Sequence, residues 1–364
     1  MTIKNSLIIF LVKLFFKQKK VIKKNYADKG YHFLVVSTTA LGDSLWATPA
    51  IRSLKKTYPL SQLSVFTSPT GFSVLKENPH VDRFFTLKKP YFLSLLKIYL
   101  KAKKHPIDTV FILHTSQRMI LPFCSMLCPK EIIGNEGMHK GLDSLLTKKI
   151  PASFEHEIDR RLGLVQSIGA KADNHNLEIL IPSLCHEEAI SILQKKSISN
   201  NKILIGLHPG SKDRFKRWPE KCFIKLGQLL KEQLDCQILI TAGPTEKTLA
   251  KWIADRIPDA IYLHEDMHIQ SFAALIQRCH LFITNDTGPM HLSFAVQTPT
   301  VALFTPTDAR LCGPKDINRN AIIQKEKTCF PCLRKKCLEP FCMLQISPEE
   351  VLEKALHLLR TKDL

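Results

Sequence analysis

Short apolar runs alternate with amphipathic stretches along most of the chain. From residue 33 onward, runs typical of buried strands are separated by stretches whose apolar residues recur at helical spacing. The pattern predicts strands at 33–36, 63–67, 109–113, 203–207, 237–241, 260–263, 281–284 and 300–304. It predicts helices at 44–56, 92–104, 157–168, 222–234, 246–256, 269–278 and 289–296. Strands separated by helices indicate parallel sheets built from βαβ units.

The alternation restarts at Lys202, and each half has its own glycine-bearing turn after its first strand. We therefore predict an α/β protein with two doubly wound domains, over 31–190 and 200–345, with the boundary between 185 and 201. A basic, apolar extension over 1–30 precedes them, and a helix over 347–364 follows. Ligands bind at the carboxyl ends of strands in such sheets, so we expect a site in a cleft between the domains.

The charge balance changes the range of partners to consider. The 364 residues carry a formal net charge of +19, with an ordinary 45% of hydrophobic residues. Such a balance favours an anionic partner, namely nucleic acid, a membrane surface or a phosphorylated substrate, unless it reflects a basic proteome. The sequence contains no recognised nucleic-acid-binding motif and its basic residues are spread out, so we expect no nucleic acid partner.

Eleven cysteines are present, an odd number that is mostly dispersed. This usage indicates a reducing cytosol rather than a secreted disulfide scaffold. Four of them, Cys329, Cys332, Cys337 and Cys342, are clustered at spacings that thiolate ligands of a structural zinc could adopt. The cluster lacks the long loop usual between ligand pairs. A zinc site and a reduced or locally bridged structural knot therefore both remain open.

Two segments combine apolar residues with lysines. Residues 7–16 are apolar except for Lys13, and five lysines follow within 17–24. The segment is too short to span a bilayer, which takes about 20 residues, and it lacks a small-residue cleavage site. It is either a helix lying in an anionic membrane interface or a helix packed on the protein's own surface. The helix over 92–104 either docks an anionic glycolipid or simply faces the core.

The loop after the first strand carries candidate chemistry. It reads Ser-Thr-Thr-Ala-Leu-Gly-Asp over 37–43, where Gly42 permits a tight turn and Asp43 stands at the start of a helix. An aspartate in this place is either an N-cap or a general base at the edge of the expected cleft.

The loop after the first strand of the second half is basic. Residues 208–219 include Lys212, Arg214, Lys216 and Arg217, and the Trp-Pro pair at 218–219 would anchor the loop. Cations beside a helix start can hold a diphosphate and offset the charge that develops on a leaving phosphate. The alternative is a solvated basic loop, which the position of the loop in the fold makes the weaker interpretation.

Two more loops that follow predicted strands carry polar residues at the start of a helix. Glu246 follows a glycine turn and either caps its helix or accepts hydrogen bonds from ribose hydroxyls. Asp286, Thr287 and Gly288 form a polar turn before an apolar helix. Its backbone N–H groups and helix dipole suit a phosphate, although an ordinary N-capped helix has the same pattern. His291, one turn into that helix, either faces the same cavity as Asp286 or merely packs against neighbouring side chains.

Together these loops resemble glycosyltransferase family 9, the heptosyltransferases of lipopolysaccharide inner-core assembly. The resemblance runs from about residue 33 to the C-terminus, and the order and spacing of its motifs are highly specific. The matching motifs are Leu-Gly-Asp43 with Ala47-Thr-Pro49, His208-Pro-Gly-Ser211, Lys216-Arg-Trp-Pro219, Gly243-Pro-Thr-Glu246 and Asn285-Asp-Thr-Gly-Pro-Met-His291, followed by Thr300-Val-Ala-Leu-Phe304 and Thr307-Asp308.

The resemblance implies a GT-B fold of two Rossmann-like domains, with the acceptor bound by the first and the sugar nucleotide by the second. It implies an inverting transfer that requires no metal or other cofactor, from ADP-heptose to the Kdo–lipid A core. The enzyme would then be cytoplasmic and peripheral on the inner face of the bacterial inner membrane.

The resemblance also assigns roles to particular residues. Asp43 matches the general base, with Thr39 and Gly42 beside it on the acceptor side. The donor-binding positions are Ser211, Lys216, Glu246, Asp286, Thr287, Gly288 and His291, of which Lys216 would hold phosphate and Glu246 the ribose. The chain departs from the family pattern in two places. The extension over 1–30 precedes the first strand, and the charged loop over 212–215 leaves the identity of the donor open.

Overall fold

A computed structural model of the chain describes residues 3–15, 30–337 and 339–360. The described chain divides into two compact units, the first ending at Glu178 and the second beginning at Ile179. Each unit has one six-stranded sheet with helices packed on it. The prediction of an α/β protein with two doubly wound parallel sheets is therefore confirmed. Lys17 to Lys24, the lysine-rich part of the predicted extension, lie outside the described residues.

The first unit contains seven helices and six strands among its described residues. Its helices are α1 (Ile3–Phe15), α2 (Leu41–Trp46), α3 (Thr48–Thr57), α4 (Pro69–Leu75), α5 (Tyr91–Lys103), α6 (Ile120–Met126) and α7 (Glu157–Gln166). Its strands are β1 (His32–Ser37), β2 (Gln62–Thr67), β3 (Arg83–Thr86), β4 (Thr109–His114), β5 (Glu131–Asn135) and β6 (Lys148–Ile150). All pair in parallel in the order β3-β2-β1-β4-β5-β6.

The second unit repeats this topology. Its helices are α8 (Ser183–Lys195), α9 (Glu220–Gln233), α10 (Lys247–Ala254), α11 (Ile269–Arg278), α12 (Gly288–Ala295), α13 (Ala309–Cys312), α14 (Phe341–Leu344) and α15 (Pro348–Arg360). Its strands are β7 (Ile203–His208), β8 (Cys236–Ile240), β9 (Ile261–Tyr262), β10 (Leu281–Asn285), β11 (Thr300–Phe304) and β12 (Asn320–Gln324). Their parallel order is β12-β11-β10-β7-β8-β9. In both sheets the strand order reverses beside the first strand, which is where ligands bind in this architecture.

The helix predicted over 44–56 is two short helices, α2 and α3. The break has a local cause in Pro49, because proline has no N–H to donate to the carbonyl four residues earlier. The Thr48 hydroxyl donates to that carbonyl, the Leu45 oxygen, at 2.7 Å instead. The break ends α2 one turn after Asp43, and α3 begins as a separate helix whose residues from Thr48 to Leu54 are buried.

The N-terminal helix α1 belongs to the core of the first unit on one side. Ile9 and Val12 are buried in the same hydrophobic cluster as β1 and α6, and the Asn5 amide donates to the Lys140 carbonyl at 2.9 Å. On the other side Phe10 and Leu14 are 61% and 56% exposed. One face of α1 therefore packs on the protein's own surface, as one of the two interpretations predicts, and the other face stays exposed. The membrane interpretation stays a prediction.

Helix α8 occupies most of the stretch in which the sequence predicts the domain boundary. Its residues Ala189, Ile192 and Leu193 are buried with α11 and with strands of the second sheet. Ser347 caps the last helix, because its hydroxyl accepts the Glu350 N–H at 3.1 Å. None of the helices within the described ranges is both long and apolar enough to cross a membrane.

Candidate functional site

In the first unit, candidate catalytic groups gather where the strand order reverses, between β1 and β4. The Thr38 N–H donates to the His114 carbonyl at 3.2 Å, which joins the two strand ends. Asp43 follows β1 in the first turn of α2, and His114 is the last residue of β4. The His114 Nε2 lies 3.9 Å from the Asp43 Oδ1.

The Asp43 carboxylate is held from several directions and is 15% exposed. The Thr39 hydroxyl donates to Oδ2 at 2.7 Å, and the Ala40 N–H donates to the same oxygen at 3.3 Å. The Arg161 guanidinium donates to Oδ1 at 3.1 Å. Asp43 therefore accepts a helix-terminal N–H, as a capping residue does, and also belongs to a charged network.

That network extends through Arg161, whose side chain is fully buried. Arg161 also pairs with Glu157, one turn earlier on α7, and its guanidinium carbon lies 5.1 Å from the centroid of the Trp46 ring. Glu157 pairs in addition with Arg160. A buried arginine fixed by two carboxylates and an aromatic face holds Asp43 in one orientation.

The network sets the protonation state of Asp43. Burial alone would raise the pKa of Asp43, but His114, Arg161 and the hydrogen bond from Thr39 outweigh it and lower the pKa below its ordinary value of 3.8. Burial lowers the pKa of His114, against the opposing effect of Asp43. At neutral pH this gives an ionised Asp43 beside a neutral His114.

The second unit has a corresponding cluster where its strand order reverses, between β7 and β10. The Lys216 ammonium, from the loop after β7, lies 2.6 Å from the Asp286 Oδ2, which directly follows β10. Asp286 is 6% exposed and Lys216 is 21% exposed. A lysine ammonium has three N–H donors, and this contact uses one of them.

A second ion pair joins the loops after β7 and β8. The Arg217 Nη2 donates to the Glu246 Oε1 at 3.1 Å, and the Arg217 Nε donates to the Ser211 carbonyl at 2.7 Å. Glu246 stands at the N-cap position of α10, but its side chain makes no capping hydrogen bond. Gly243 makes room for it, since a Cβ there would lie 2.5 Å from the Glu246 Oε2.

The loop after β7 is fixed by two anchors. The Asn285 side chain accepts the Trp218 N–H and donates to the Pro209 carbonyl, both at 2.9 Å. The Trp218 ring is 1% exposed, and its indole N–H donates to the Ile346 carbonyl at 2.9 Å. These anchors turn Lys216 and Arg217 inward, whereas Lys212 and Arg214 of the same loop are exposed.

Three more of the residues predicted to bind the donor lie at the start of α12. Thr287 is the N-cap residue and makes no side-chain capping bond, and Gly288 begins the helix. His291 is buried, with its ring centroid 6.0 Å from that of Phe294. At the end of β7, burial lowers the pKa of His208 to about 4, so this ring is neutral at pH 7. The charge of the cluster thus comes from Lys216, Arg217 and their two carboxylate partners.

The clustered cysteines do not form a metal-binding group in this structure. None of the eleven cysteines forms a disulfide, and Cys342 of the cluster is buried while the other three are partly exposed. Within the described ranges, histidine, cysteine and carboxylate side chains nowhere gather in a set of three or more that could hold a metal ion.

Sequence reasoning missed three members of the first-unit cluster. His114 directly follows the strand predicted over 109–113, and its position at a strand's carboxyl end is a signal that could have found it. Glu157 and Arg161 lie on a helix more than 110 residues after Asp43. Nothing in their local pattern distinguishes them from an ordinary i, i+4 helix pair.

Known proteins resemble this chain over most of its length. A family model described as glycosyltransferase family 9 (heptosyltransferase) matches residues 131–342. A lipooligosaccharide heptosyltransferase 2 of Campylobacter jejuni is 26% identical over 334 residues, which cover 90% of this chain and 98% of that protein.

Solved structures show the same GT-B fold. A family 9 glycosyl transferase from Veillonella parvula has a TM-score of 0.81 at 23% identity, and the match covers 94% of this chain and 99% of that one. The ADP-heptose LPS heptosyltransferase II of Escherichia coli has a TM-score of 0.73 at 17% identity, with 92% and 100% covered.

Proposed function

Because the chain belongs to glycosyltransferase family 9, we propose that it transfers a heptose from ADP-heptose to the Kdo–lipid A region of a lipopolysaccharide inner core. The relative in Campylobacter jejuni is a heptosyltransferase, and the E. coli structure is that of an ADP-heptose LPS heptosyltransferase. The structural observation that carries the proposal is the cluster in the second unit. Three strand-end loops there bring Lys216 and Arg217 together with Asp286 and Glu246.

The cluster suits a nucleoside diphosphate. Lys216, oriented by Asp286, binds a phosphate oxygen with its remaining donors, and the N-terminal N–H groups of α12 add to the positive field. Glu246, oriented by Arg217, accepts hydrogen bonds from the ribose hydroxyls. Ser211, Thr287, Gly288 and His291 complete the donor-binding surface.

The first unit supplies the base for the acceptor. Asp43 takes the proton of the acceptor hydroxyl while that oxygen forms a bond to the anomeric carbon of the heptose. The bond from that carbon to the diphosphate oxygen breaks, and ADP leaves with the electron pair. A single displacement inverts the anomeric centre. Thr39 and Arg161 keep Asp43 in place. The tight turn predicted at Gly42 is wrong, because Gly42 is buried inside helix α2, directly before Asp43.

The leaving diphosphate gains negative charge as the bond breaks. Lys216 and the backbone N–H groups at the start of α12 stabilise that charge, which is the role a divalent metal has in other transferases. We therefore propose that the reaction needs no metal or other cofactor, and that any zinc at Cys329, Cys332, Cys337 and Cys342 would serve structure alone.

The acceptor is an anionic glycolipid, so the enzyme works at the cytoplasmic face of the inner membrane as a peripheral protein. The exposed side of α1 supports this assignment, because Phe10, Leu11 and Leu14 are all more than 40% exposed. Deleting the segment is a poor test, since the deletion also removes the buried Ile9 and Val12.

A turnover assay tests the proposed function. The purified chain is incubated with ADP-heptose, other ADP-sugars and UDP-sugars, each with truncated core glycolipids, and the product linkage is read by NMR. We expect transfer from ADP-heptose with inversion at the anomeric carbon. Efficient use of another nucleotide sugar in place of ADP-heptose would identify a family member with a different donor.

A further inference from the structure

Helix α5 leaves a broad apolar surface uncovered. Its buried residues Ile98 and Ala102 join the core on one face of the first sheet. On the outer side, Phe92 is 74% exposed, and Leu93, Leu96 and Leu100 are 51%, 47% and 56% exposed. Residues 92, 96 and 100 are spaced by four and so share one side of the helix. The core-facing role foreseen for α5 therefore accounts for only part of its apolar residues, and an exposed patch of this kind marks an interaction surface.

The same helix is surrounded by positive charge. The exposed lysines of α5 and its flanks are Lys88, Lys89, Lys97, Lys101, Lys103 and Lys104. The sequence has no aspartate or glutamate between Asp82 and Asp108. We call Phe92, Leu93, Leu96, Leu100 and these six lysines the α5 patch.

A groove runs along one edge of the α5 patch. It has a volume of about 520 Å³ and lies between α5, β3 and α4. Phe72, Phe84 and Leu93 give it an apolar lining, and the Phe72 and Phe84 rings meet edge to face with centroids 5.3 Å apart. Lys88, Lys89, Lys97 and Lys101 also line it. Apolar walls with ammonium groups beside them match a phospholipid, which has apolar acyl chains and a phosphate in its headgroup.

The α5 patch is on the same side of the first unit as the exposed part of α1. The buried residues Ile9 and Val12 of α1 belong to the same core cluster as Ile98 of α5, and that cluster lies on one face of the sheet. Two helices that cover one face of a sheet expose their outer surfaces in the same general direction. Phe10, Leu11 and Leu14 thus extend the apolar area presented on that side.

We propose that the α5 patch docks the enzyme on an anionic phospholipid bilayer. The lysines bind lipid phosphates, and Phe92, Leu96 and Leu100 enter the boundary between headgroups and acyl chains. A second copy of the chain fits less well, because a two-fold interface would bring this lysine-rich surface against itself. The inference rests on the proposed function only in that a lipid-borne acceptor gives docking a purpose.

Co-sedimentation of the full chain with vesicles tests the proposal. The charge variant is Lys97→Gln with Lys101→Gln, and its control is Lys221→Gln with Lys225→Gln, two exposed lysines at the same spacing on α9. The apolar variant is Phe92→Ser with Leu96→Ser and Leu100→Ser. Its control is Leu184→Ser with Ile317→Ser, which are 73% and 72% exposed in the second unit.

On phosphatidylglycerol vesicles at low salt, the charge variant should bind about tenfold to thirtyfold more weakly than the parent, from about fivefold per lysine. High salt should reduce this difference, because salt screens the attraction between the parent's lysines and the anionic lipids. The apolar variant should bind at least about tenfold more weakly at either salt concentration. The two controls should bind as the parent does, and phosphatidylcholine vesicles should bind all the proteins weakly.

Parent-like vesicle binding by both α5 variants would overturn the proposal. The proposal would also be overturned if sedimentation velocity showed that the parent is a dimer and the variants are monomers, because the patch would then join two copies. Transfer to a water-soluble acceptor is measured in parallel and should be unchanged in every variant. If the parent binds vesicles through the patch but transfers no sugar, the docking surface stands and the proposed function fails.

Discussion

The carboxylate of Asp43, the proposed catalytic base, is held in place by several contacts. It accepts hydrogen bonds from Thr39, Ala40 and Arg161 and lies near His114. These contacts keep it ionised and therefore able to accept a proton. They also make it a weaker base than an isolated aspartate, so its contribution depends on position more than on intrinsic basicity.

Replacing Asp43 with asparagine should remove most of the transfer activity. The substitution keeps the size of the side chain but abolishes the base, and general-base catalysis contributes about 10²- to 10⁴-fold to such reactions. The affinity for ADP-heptose should stay within a few-fold, because the proposed donor contacts come from the second unit. Steady-state kinetics and calorimetric titration check both expectations. Near-normal turnover by Asp43→Asn would exclude the assignment.

The pH dependence should report the Asp43–Arg161 contact. The pKa of Asp43 is lowered from 3.8, so the proposed base is ionised at neutral pH and becomes protonated as pH falls through that depressed value. The stability that the ion pair provides is likewise present at neutral pH and is lost over the same acidic range. Arg161→Gln should raise the pKa of Asp43 and move the acidic limb of kcat/KM to higher pH.

Arg161→Lys is the matched variant, because it keeps the positive charge, and its acidic limb should remain closer to that of the parent. A melting curve at each pH shows whether the folded fraction changes over the range that is compared. Identical acidic limbs for the parent and Arg161→Gln would show that Arg161 does not control the protonation of Asp43.

Lys216→Ala should weaken donor binding and slow turnover. A lost charge-assisted hydrogen bond costs roughly 1.5–3 kcal/mol, or about a tenfold to 150-fold increase in Kd. The buried Asp286 also loses its cation and then repels phosphate. Lys212→Ala is the control from the same loop, and its exposed side chain should matter little. Equal effects of the two substitutions would indicate that the overall positive charge of the loop binds the donor, and not a specific contact of Lys216.

Polar residues stand before two helices of the second unit, and their side chains make different contacts. Asp286 precedes α12 but pairs with Lys216, whereas Ser347 accepts the Glu350 N–H at the start of α15. The same type of position, a polar residue before a helix, thus serves a charged site in one case and a cap in the other. The difference lies in which loop is packed beside each helix start.

Asp286→Ala should therefore lower activity, whereas Ser347→Ala should lower stability. The Asp286 substitution should impair transfer with little loss of stability, because no capping bond disappears. The Ser347 substitution should lower the free energy of unfolding by about 1 kcal/mol, as loss of an N-cap does, and leave specific activity unchanged. Denaturant titration and specific activity per folded molecule distinguish the two. A pure loss of stability in Asp286→Ala would make Asp286 a structural residue.

The molecule as a whole has two sheets of identical strand order, each with charged side chains where the order reverses. The first holds an ionised carboxylate with an arginine, and the second holds two cations with two carboxylates. This division of charge suits the proposed reaction, in which the acceptor loses a proton and the donor releases a diphosphate. Neither step as proposed requires a metal ion.

Chelation should accordingly leave sugar transfer intact. Treatment with EDTA followed by desalting should change kcat by less than about twofold, since lysine and backbone N–H groups hold the diphosphate. If metal was bound at the clustered cysteines, its removal should lower Tm without removing the chemical step. Loss of activity that Mg²⁺ or Mn²⁺ restores would contradict the proposed mechanism.

The sequence by itself determined the fold class, because the alternation of apolar strands with amphipathic helices is a local pattern. It also located the strand-end loops that carry Asp43, Lys216, Glu246 and Asp286, since glycine turns and polar residues after strands are visible in order along the chain. Short edge strands such as β3 and β6 escaped it, because three or four partly buried residues carry little periodicity.

The tertiary structure decided which charges meet. Lys216 reaches Asp286 across 70 residues, because the reversal of strand order brings distant loops to one edge of a sheet. Arg161 reaches Asp43 across 118 residues, because helix α7 packs against α2 and α3. It also decided that α5 buries Ile98 and Ala102 while Phe92, Leu96 and Leu100 stay exposed. Local sequence fixes which residues share one side of a helix, but only packing against the sheet decides which side is buried.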